Sequence, residues 1–299
     1  MNTPPAVGLI AGWGRYPIVI AHALKAQGAA VHCISISGHA NADLASLCDT
    51  HCEMGVAHIG RAIRHFHRLG VKRATMAGKI HKHKVLYSRF GWLSLVPDLR
   101  TIWAFVPTYL FRRRDRKDDT LLNIIVDEFA KDGIHMAAAT DFAPELLIQS
   151  GILSRRQPTN SELEDICFGW QIAKDLGRHD VGQSVAIKGQ AVIAVEAVEG
   201  TDECIKRAGS LCRQGGFALV KVAKPQQDMR FDVPTIGIGT IETLVAARGK
   251  LLAIEADKTI VLDRDEVVRL ANQHGIALIA TTDAEVACTK LRGQRGNAT

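Results

Sequence analysis

The sequence has no apolar run long enough to cross a bilayer. Its most hydrophobic stretch, Tyr87 to Phe111, is interrupted by Arg89, Asp98 and Arg100, and Pro97 and Pro107 would break a helix there. A helical membrane span is thereby excluded at that place. Two readings of the segment stay open: a helix packed against the core or a partner subunit, or an interfacial helix dipping into a leaflet. A disulfide framework is also lacking. The cysteines (Cys33, Cys48, Cys52, Cys167, Cys204, Cys212, Cys288) are odd in number and widely spaced, and no signal peptide precedes them, so a reducing cytoplasm is expected. Cys48, His51 and Cys52 form a C-x-x-H-C cluster without a second ligand pair at zinc-site spacing, which favours small residues packed near a loop over a metal site. There is no internal repeat and no low-complexity tract. Disorder is expected only after Leu291.

What is present is the composition of a folded globular protein: 47% apolar and 23% charged residues, with Gly and Pro scattered. A chain of 299 residues has room for two ordinary domains. The formal charge of +6 is concentrated in two runs, one of Lys79, His81, Lys82, His83 and Lys84, the other of Arg112, Arg113, Arg114, Arg116 and Lys117. Such patches attract phosphorylated substrates and anionic lipid headgroups. Nucleic acid is not expected, because no RNP-like run, helix-turn-helix signal or zinc finger accompanies the charge.

The first half alternates short apolar runs with helical periodicity. Ala6 to Ala11 and Ala30 to Ile36 read as buried strands around a helix from Tyr16 to Gln27, followed by a helix over Ile59 to Leu69, a strand over Ala74 to Ala77 and a helix over Leu121 to Lys131. This βαβ order predicts an α/β domain with a mostly parallel sheet and helices on its faces. The periodicity lapses between Gly151 and Ser161, which places a boundary between an N-terminal domain, 1–155, and a C-terminal α/β domain, 156–299. Beyond it come a helix over Glu162 to Leu176, a hairpin of Ser184 to Ile187 and Ala191 to Glu196 turning at Lys188–Gln190, and a helix from Asp202. Strands then follow near Phe217 to Val222, Leu251 to Ile254 and Ile260 to Leu262, and helices over Ile241 to Ala247 and Arg264 to Gln273. The second half reads as a distinct mixed α/β domain.

Four places could carry chemistry. The first strand runs into Gly12, Trp13 and Gly14, a strand-to-helix turn whose amides could approach a phosphate. A dinucleotide fingerprint would need a third glycine where Pro17 stands and an acidic residue closing the second strand, where Ser35 to Gly38 stand instead. Asp118 and Asp119 precede the helix at Leu121; capping accounts for at least one, and a binding role beside the basic run is the other reading. Thr201 and Asp202 connect the hairpin to a helix, as a plain capped turn or as a site for a phosphate or sugar hydroxyl. The densest cluster spans Lys221 to Pro234 and includes Lys224, Gln227, Asp228, Arg230 and Asp232. If Pro225 and Pro234 keep it extended, Asp228, Arg230 and Asp232 share one face. Such close carboxylates need a cation, either Arg230 or a divalent ion shared with a pyrophosphate, unless one takes up a proton; a surface salt-bridge ladder is the other reading.

Gly8 to Pro17, Lys117 to Leu122, Asp180 to Gln183, Ala194 to Asp202 and above all Lys221 to Gly237 together resemble the UDP-2,3-diacylglucosamine pyrophosphatases of the LpxI type. The match runs in order over nearly the whole chain. The resemblance implies a Rossmann-like domain joined to a distinct C-terminal domain, with the nucleotide-sugar lipid held between them. It also implies magnesium, and attack of water on the pyrophosphate to give UMP and 2,3-diacylglucosamine 1-phosphate (lipid X) for lipid A biosynthesis. The essential aspartate of that family precedes a Val/Leu-Pro-x-Ile-Gly run, which here is Asp232 before Val233 to Gly237. Trp13 departs from the pattern, where a small residue is usual, and the stretch from Lys79 to Arg116 is longer and more basic.

On this reading Asp232 and Asp228 hold magnesium or orient water, and Arg230 and Lys224 stabilise phosphoryl charge. Gly12, Trp13, Gly14, Lys79, Asp118, Asp119, Thr201, Asp202, Lys221 and Gln227 bind substrate. A cytoplasmic protein is expected, with peripheral contact at the inner membrane surface and a homodimer as further expectations. Two alternatives remain: a nucleotide-dependent Rossmann oxidoreductase, and a non-catalytic module on anionic membrane.

Overall fold

The structure, a computed structural model, describes residues 4–79, 96–111, 118–231 and 233–286, with the side chains of 106–111 and 118–121 excepted. Asp232, the remainder of the first basic run beyond Lys79, and Arg112 to Lys117 therefore lie outside the described residues, as does 87–95 of the apolar segment. The chain forms two compact units: 1–144 together with 228–231, and 145–227 together with 232–299.

In the N-terminal unit, β1 (Ala6–Ala11), β2 (Ala30–Ile36), β3 (Thr50–Met54), β4 (Arg73–Ala77) and β5 (His135–Met136) form a sheet of order β3-β2-β1-β4-β5. All its pairings are parallel. Parallel neighbours require crossovers. Here α1 (Tyr16–Ala26), the short α2 (Leu44–Leu47) and α3 (Ile59–Arg68) supply those among the first four strands. One sheet face is closed by Ile63 and Phe66 of α3 and by Val126 and Phe129 of α5 (Asp118–Lys131), which pack with Ile34 and Ala74. Between them α4 (Leu99–Phe111) continues past Pro107, where the sequence predicted a break. Helix α5 begins at Asp118, so both aspartates stand in its first turn rather than ahead of it. Carboxylates suit the positive end of the helix dipole there. A four-residue α6 (Ala139–Phe142) ends the unit.

The C-terminal unit is built on six strands in the order β6-β13-β11-β9-β7-β8. Here β9 (Ala218–Lys221), β11 (Leu251–Glu255) and β13 (Ala277–Thr281) are parallel, while β6 (Gly151–Ile152) and the hairpin β7 (Ser184–Lys188) and β8 (Ala191–Val195) run antiparallel to their neighbours. Two-residue alternation divides the core. Ala186, Leu219, Leu252 and Ile254 face α8 (Thr201–Leu211), α9 (Ile238–Ala246) and α10 (Arg264–Gln273), whereas Val185, Ile187, Ala218, Val220 and Leu251 face α7 (Asn160–Arg178). Two short strands, β10 (Thr235–Ile236) and β12 (Ile260–Val261), pair in parallel beside it. Because β6 joins this sheet at β13, the chain divides between Pro144 and Glu145, ahead of the lapse in periodicity at 151–161.

Candidate active site

The order β3-β2-β1-β4-β5 reverses direction between β1 and β4, and in open α/β sheets ligands gather beyond the carboxyl ends of such a pair. Gly12, Trp13 and Gly14 follow β1 there, and Gly78 and Lys79 follow β4. The two loops are zipped together rather than splayed. Gly12 N–H donates to Ala77 O at 2.8 Å, Trp13 N–H to Lys79 O at 2.7 Å, and Lys79 N–H returns a bond to Trp13 O at 2.9 Å. A side chain on Gly12 would meet Lys79 O at 2.8 Å and Gly78 C at 3.0 Å, so the glycine is required by the close approach of backbone. Trp13 and Lys79 are exposed beside each other. Helix α1 starts without a side-chain cap and carries a proline in its first turn. The Tyr16 hydroxyl is buried among the described residues without a hydrogen-bond partner, and burial holds its pKa above the ordinary tyrosine range.

The C-terminal unit offers a different arrangement at the end of β9. Lys221 closes β9, and the antiparallel register sets it opposite Ser184, the first residue of β7. Glu196 follows β8 and is tied to Ser184 O through its own N–H at 2.8 Å. Gly182 permits that approach, since a Cβ there would lie 2.1 Å from Glu196 O. Lys221 Nζ donates to Thr201 Oγ1 at 3.1 Å and to Thr235 O at 3.0 Å, and Thr201 Oγ1 donates to Glu196 Oε1 at 3.0 Å. Lys221 and Glu196 are 6% and 8% exposed, and Glu196 Oε2 accepts no hydrogen bond from the described residues. The sequence reading had Thr201 or Asp202 capping α8. Instead Gly200, at φ 86°, is the N-cap residue; Thr201 and Asp202 open the helix, and the Thr201 hydroxyl turns to Glu196 and Lys221. A buried ammonium, a hydroxyl and uncapped helix amides in one place suit an anion with hydroxyl neighbours.

After β9 the chain is not extended as the flanking prolines suggested. It makes two turns, closed by Gln227 N–H to Lys224 O at 3.0 Å and Phe231 N–H to Asp228 O at 3.1 Å. The reason lies in the residues themselves. Pro225 disfavours helix before it but is preset for the second position of a turn, and Asp228 accepts from Arg230 N–H at 3.0 Å as a local side-chain turn. Arg230 grips the Asp228 carboxylate with Nε, at 2.9 Å to Oδ1 and 3.1 Å to Oδ2, and with Nη2. This bond holds the Asp228 carboxyl below the ordinary carboxylate range and raises the guanidinium. Arg230 Nη2 also reaches Asn123 Oδ1 on α5 at 2.8 Å, and Phe231 packs on the core that α3 and α5 cover. Lys224 Nζ pairs with Asp180, and Gln227 Oε1 accepts from Lys224 N–H at 2.8 Å. Arg230 thus supplies the cation for Asp228 from within the protein. No group of three or more His, Cys, Asp or Glu among the described residues could hold a metal ion. Both Asp228 oxygens are engaged by Arg230, and Asp232, the other carboxylate expected to hold magnesium, lies outside the described residues.

Sequence reasoning did not nominate Glu196, Ser184, Asn123 or Thr235. Glu196 had a legible signal, a carboxylate directly after an apolar strand. Asn123 had none, since its partner is distant in sequence. His51 and Cys52 are adjacent on β3 and so point to opposite faces; His51 Nε2 lies 2.8 Å from Ser35 Oγ and Cys52 Sγ 3.5 Å from His65 Nε2.

Residues 6–146 match the model of the LpxI N-terminal domain and residues 149–279 that of the LpxI C-terminal domain. The chain is similar to a UDP-2,3-diacylglucosamine pyrophosphatase LpxI of Caulobacter vibrioides, 30% identical over 288 residues that cover 93% of this chain and 98% of that protein. With both domain models met in order and the relative matched almost end to end, the chain belongs to the LpxI family.

Proposed function

We propose that this protein hydrolyses the pyrophosphate bond of UDP-2,3-diacylglucosamine, releasing UMP and 2,3-diacylglucosamine 1-phosphate in the making of lipid A. The observation that carries this reading is the near-complete match to the Caulobacter protein of that name. It is supported by the Lys221, Thr201 and Glu196 cluster, whose chemistry suits a phosphorylated sugar. Water forms a bond to one phosphorus, the bridging P–O bond breaks, and the bridging oxygen leaves with the other phosphate. Asp232 orients the attacking water; its assignment rests on the sequence resemblance alone. Lys221 and the first amides of α8 offset charge on the phosphoryl oxygens. Thr201 and Glu196 engage hydroxyl groups. The glycine turn contributes Trp13 and Lys79 as exposed contacts, with Asp118 and Asp119 as further binding residues. Magnesium is part of the proposal by family resemblance only, and no step is routed through it.

The acyl chains of such a substrate call for work at a lipid surface, here the inner face of the cytoplasmic membrane. No helix among the described residues is long and apolar enough to cross a membrane. Leu99 and Trp103 of α4, at 76% and 74% exposure, are candidates for peripheral contact. Replacing both by glutamate is expected to weaken sedimentation with anionic vesicles. The decisive experiment offers UDP-2,3-diacylglucosamine with and without magnesium and measures UMP. Magnesium-dependent release is expected, along with its loss in a folded Asp232→Asn variant. Absence of UMP from the wild-type protein under both conditions would refute the proposal. Neither the domain matches nor the relative favours an oxidoreductase or a non-catalytic module.

A further inference from the structure

The C-terminal unit buries a second lysine and glutamate outside the cluster described above. Lys174 Nζ, on the last turns of α7, lies 2.7 Å from each carboxylate oxygen of Glu255, which ends β11. Their side chains are 10% and 2% exposed. Lys258 adds a contact to Glu255 Oε1 at 2.8 Å from the solvent side, and Asp283 lies 3.6 Å from Lys174 Nζ while accepting from the Trp170 indole. Buried ion pairs are poor stabilisers, because taking two charges from water costs about as much as their attraction returns; well-packed apolar replacements are often neutral or better. Stability alone is therefore a weak reason for this pair.

The remaining bonds of the pair converge on one residue. Glu255 Oε2 accepts from Ala223 N–H at 2.7 Å, and Lys174 Nζ donates to Ala223 O at 3.3 Å. Ala223 is where β9 has ended and the chain leaves for the loop that carries Asp228 and Asp232. Its neighbours are fixed from the same helix end: Gln226 Nε2 donates to Gly177 O at 3.3 Å and to Arg178 O at 3.1 Å, and Lys224 Nζ pairs with Asp180. The far end is held at Thr235 O by Lys221.

We propose that Lys174 and Glu255 are positioning residues for the hydrolytic reaction, clamping both backbone polar groups of Ala223 so that the chain leaves β9 through 224–227 in one direction. The inference rests on the proposed hydrolysis. Misplacement of a reacting group by about 1 Å can cost on the order of 10²-fold in rate. Both side chains are buried and bonded to Ala223, so their loss acts through the chain that leaves β9.

The test compares wild type, the Lys174→Met/Glu255→Leu double variant and Glu255→Gln in three measurements: UMP release from UDP-2,3-diacylglucosamine, thermal midpoint, and hydrogen exchange of the peptide spanning 221–236. For the double variant kcat is expected to fall about 100-fold, with KM changed less than about threefold, a thermal midpoint lowered by the unpaired Ala223 groups and faster exchange in that peptide. Glu255→Gln keeps an acceptor for Ala223 N–H and is expected to lose only about tenfold; should the double variant not fold, it carries the test by itself. Wild-type kcat and unchanged loop exchange in the variants would overturn the positioning role while leaving the hydrolase reading intact. A wild-type protein that releases no UMP overturns both.

Discussion

The glycine turn after β1 and the polar cluster after β9 both stand at the carboxyl ends of parallel strands, yet they use their polar groups in opposite ways. At the turn the Gly12 and Trp13 amides are consumed by backbone carbonyls at the end of β4 and in the loop after it. At the cluster the interactions are made by side chains, with Lys221 and Glu196 almost fully buried and one carboxylate oxygen without a partner among the described residues. A glycine-rich strand-to-helix turn is therefore no guarantee of amides free to hold a phosphate. Inward-facing charge that the protein does not fully satisfy is the stronger pointer to chemistry, because leaving it so is costly unless a ligand completes it.

The contrast can be broken by mutation. Lys221→Met should have the largest effect, lowering kcat/KM for UMP release by about 10²- to 10³-fold, the loss typical of one preorganised donor to a developing charge. A loss below about tenfold would place the chemistry elsewhere. Gly12→Ala should act on folding instead. Its new methyl would press on backbone at 2.8 Å, so urea denaturation should show a loss of about 1–3 kcal/mol, with kcat in the folded fraction close to wild type. A collapse of kcat at unchanged stability would restore the turn as the reacting element.

The smallest effect concerns Asp228, whose pKa Arg230 holds down. A carboxylate with a depressed folded-state pKa stabilises fully above its unfolded value, near 3.9, and loses that contribution as pH falls through the depressed value. Asp228→Asn should thus be slightly less stable than wild type at neutral pH, and the two should converge as pH drops below about 4. The pair is partly exposed, so the neutral-pH difference is expected to be modest.

Much of the architecture was readable in the chain. Apolar runs of strand length alternating with 3.6-residue periodicity announced the parallel N-terminal sheet, and Lys188–Gln190 between two β-rich runs announced the hairpin. The strand Ala277–Thr281, a short apolar run directly after Gly275, is not among the predicted elements. Thr50–Met54 carries polar and ionisable residues that do not read as buried β structure. Within the loop after β9 the residue types were legible, but its path was not, since Pro225 is compatible both with an extended chain and with a turn.

The amino-acid sequence determined the secondary-structure periods, the two-part organisation and the motifs of the family, because these depend on neighbours along the chain. Only the tertiary structure decided that Gly12 serves backbone packing, that the Thr201 hydroxyl faces Lys221 rather than capping α8, and that Lys174 meets Glu255 across the fold. Those outcomes depend on which polar groups are brought together out of water by elements far apart in sequence, and that competition is settled only when the strands and helices pack.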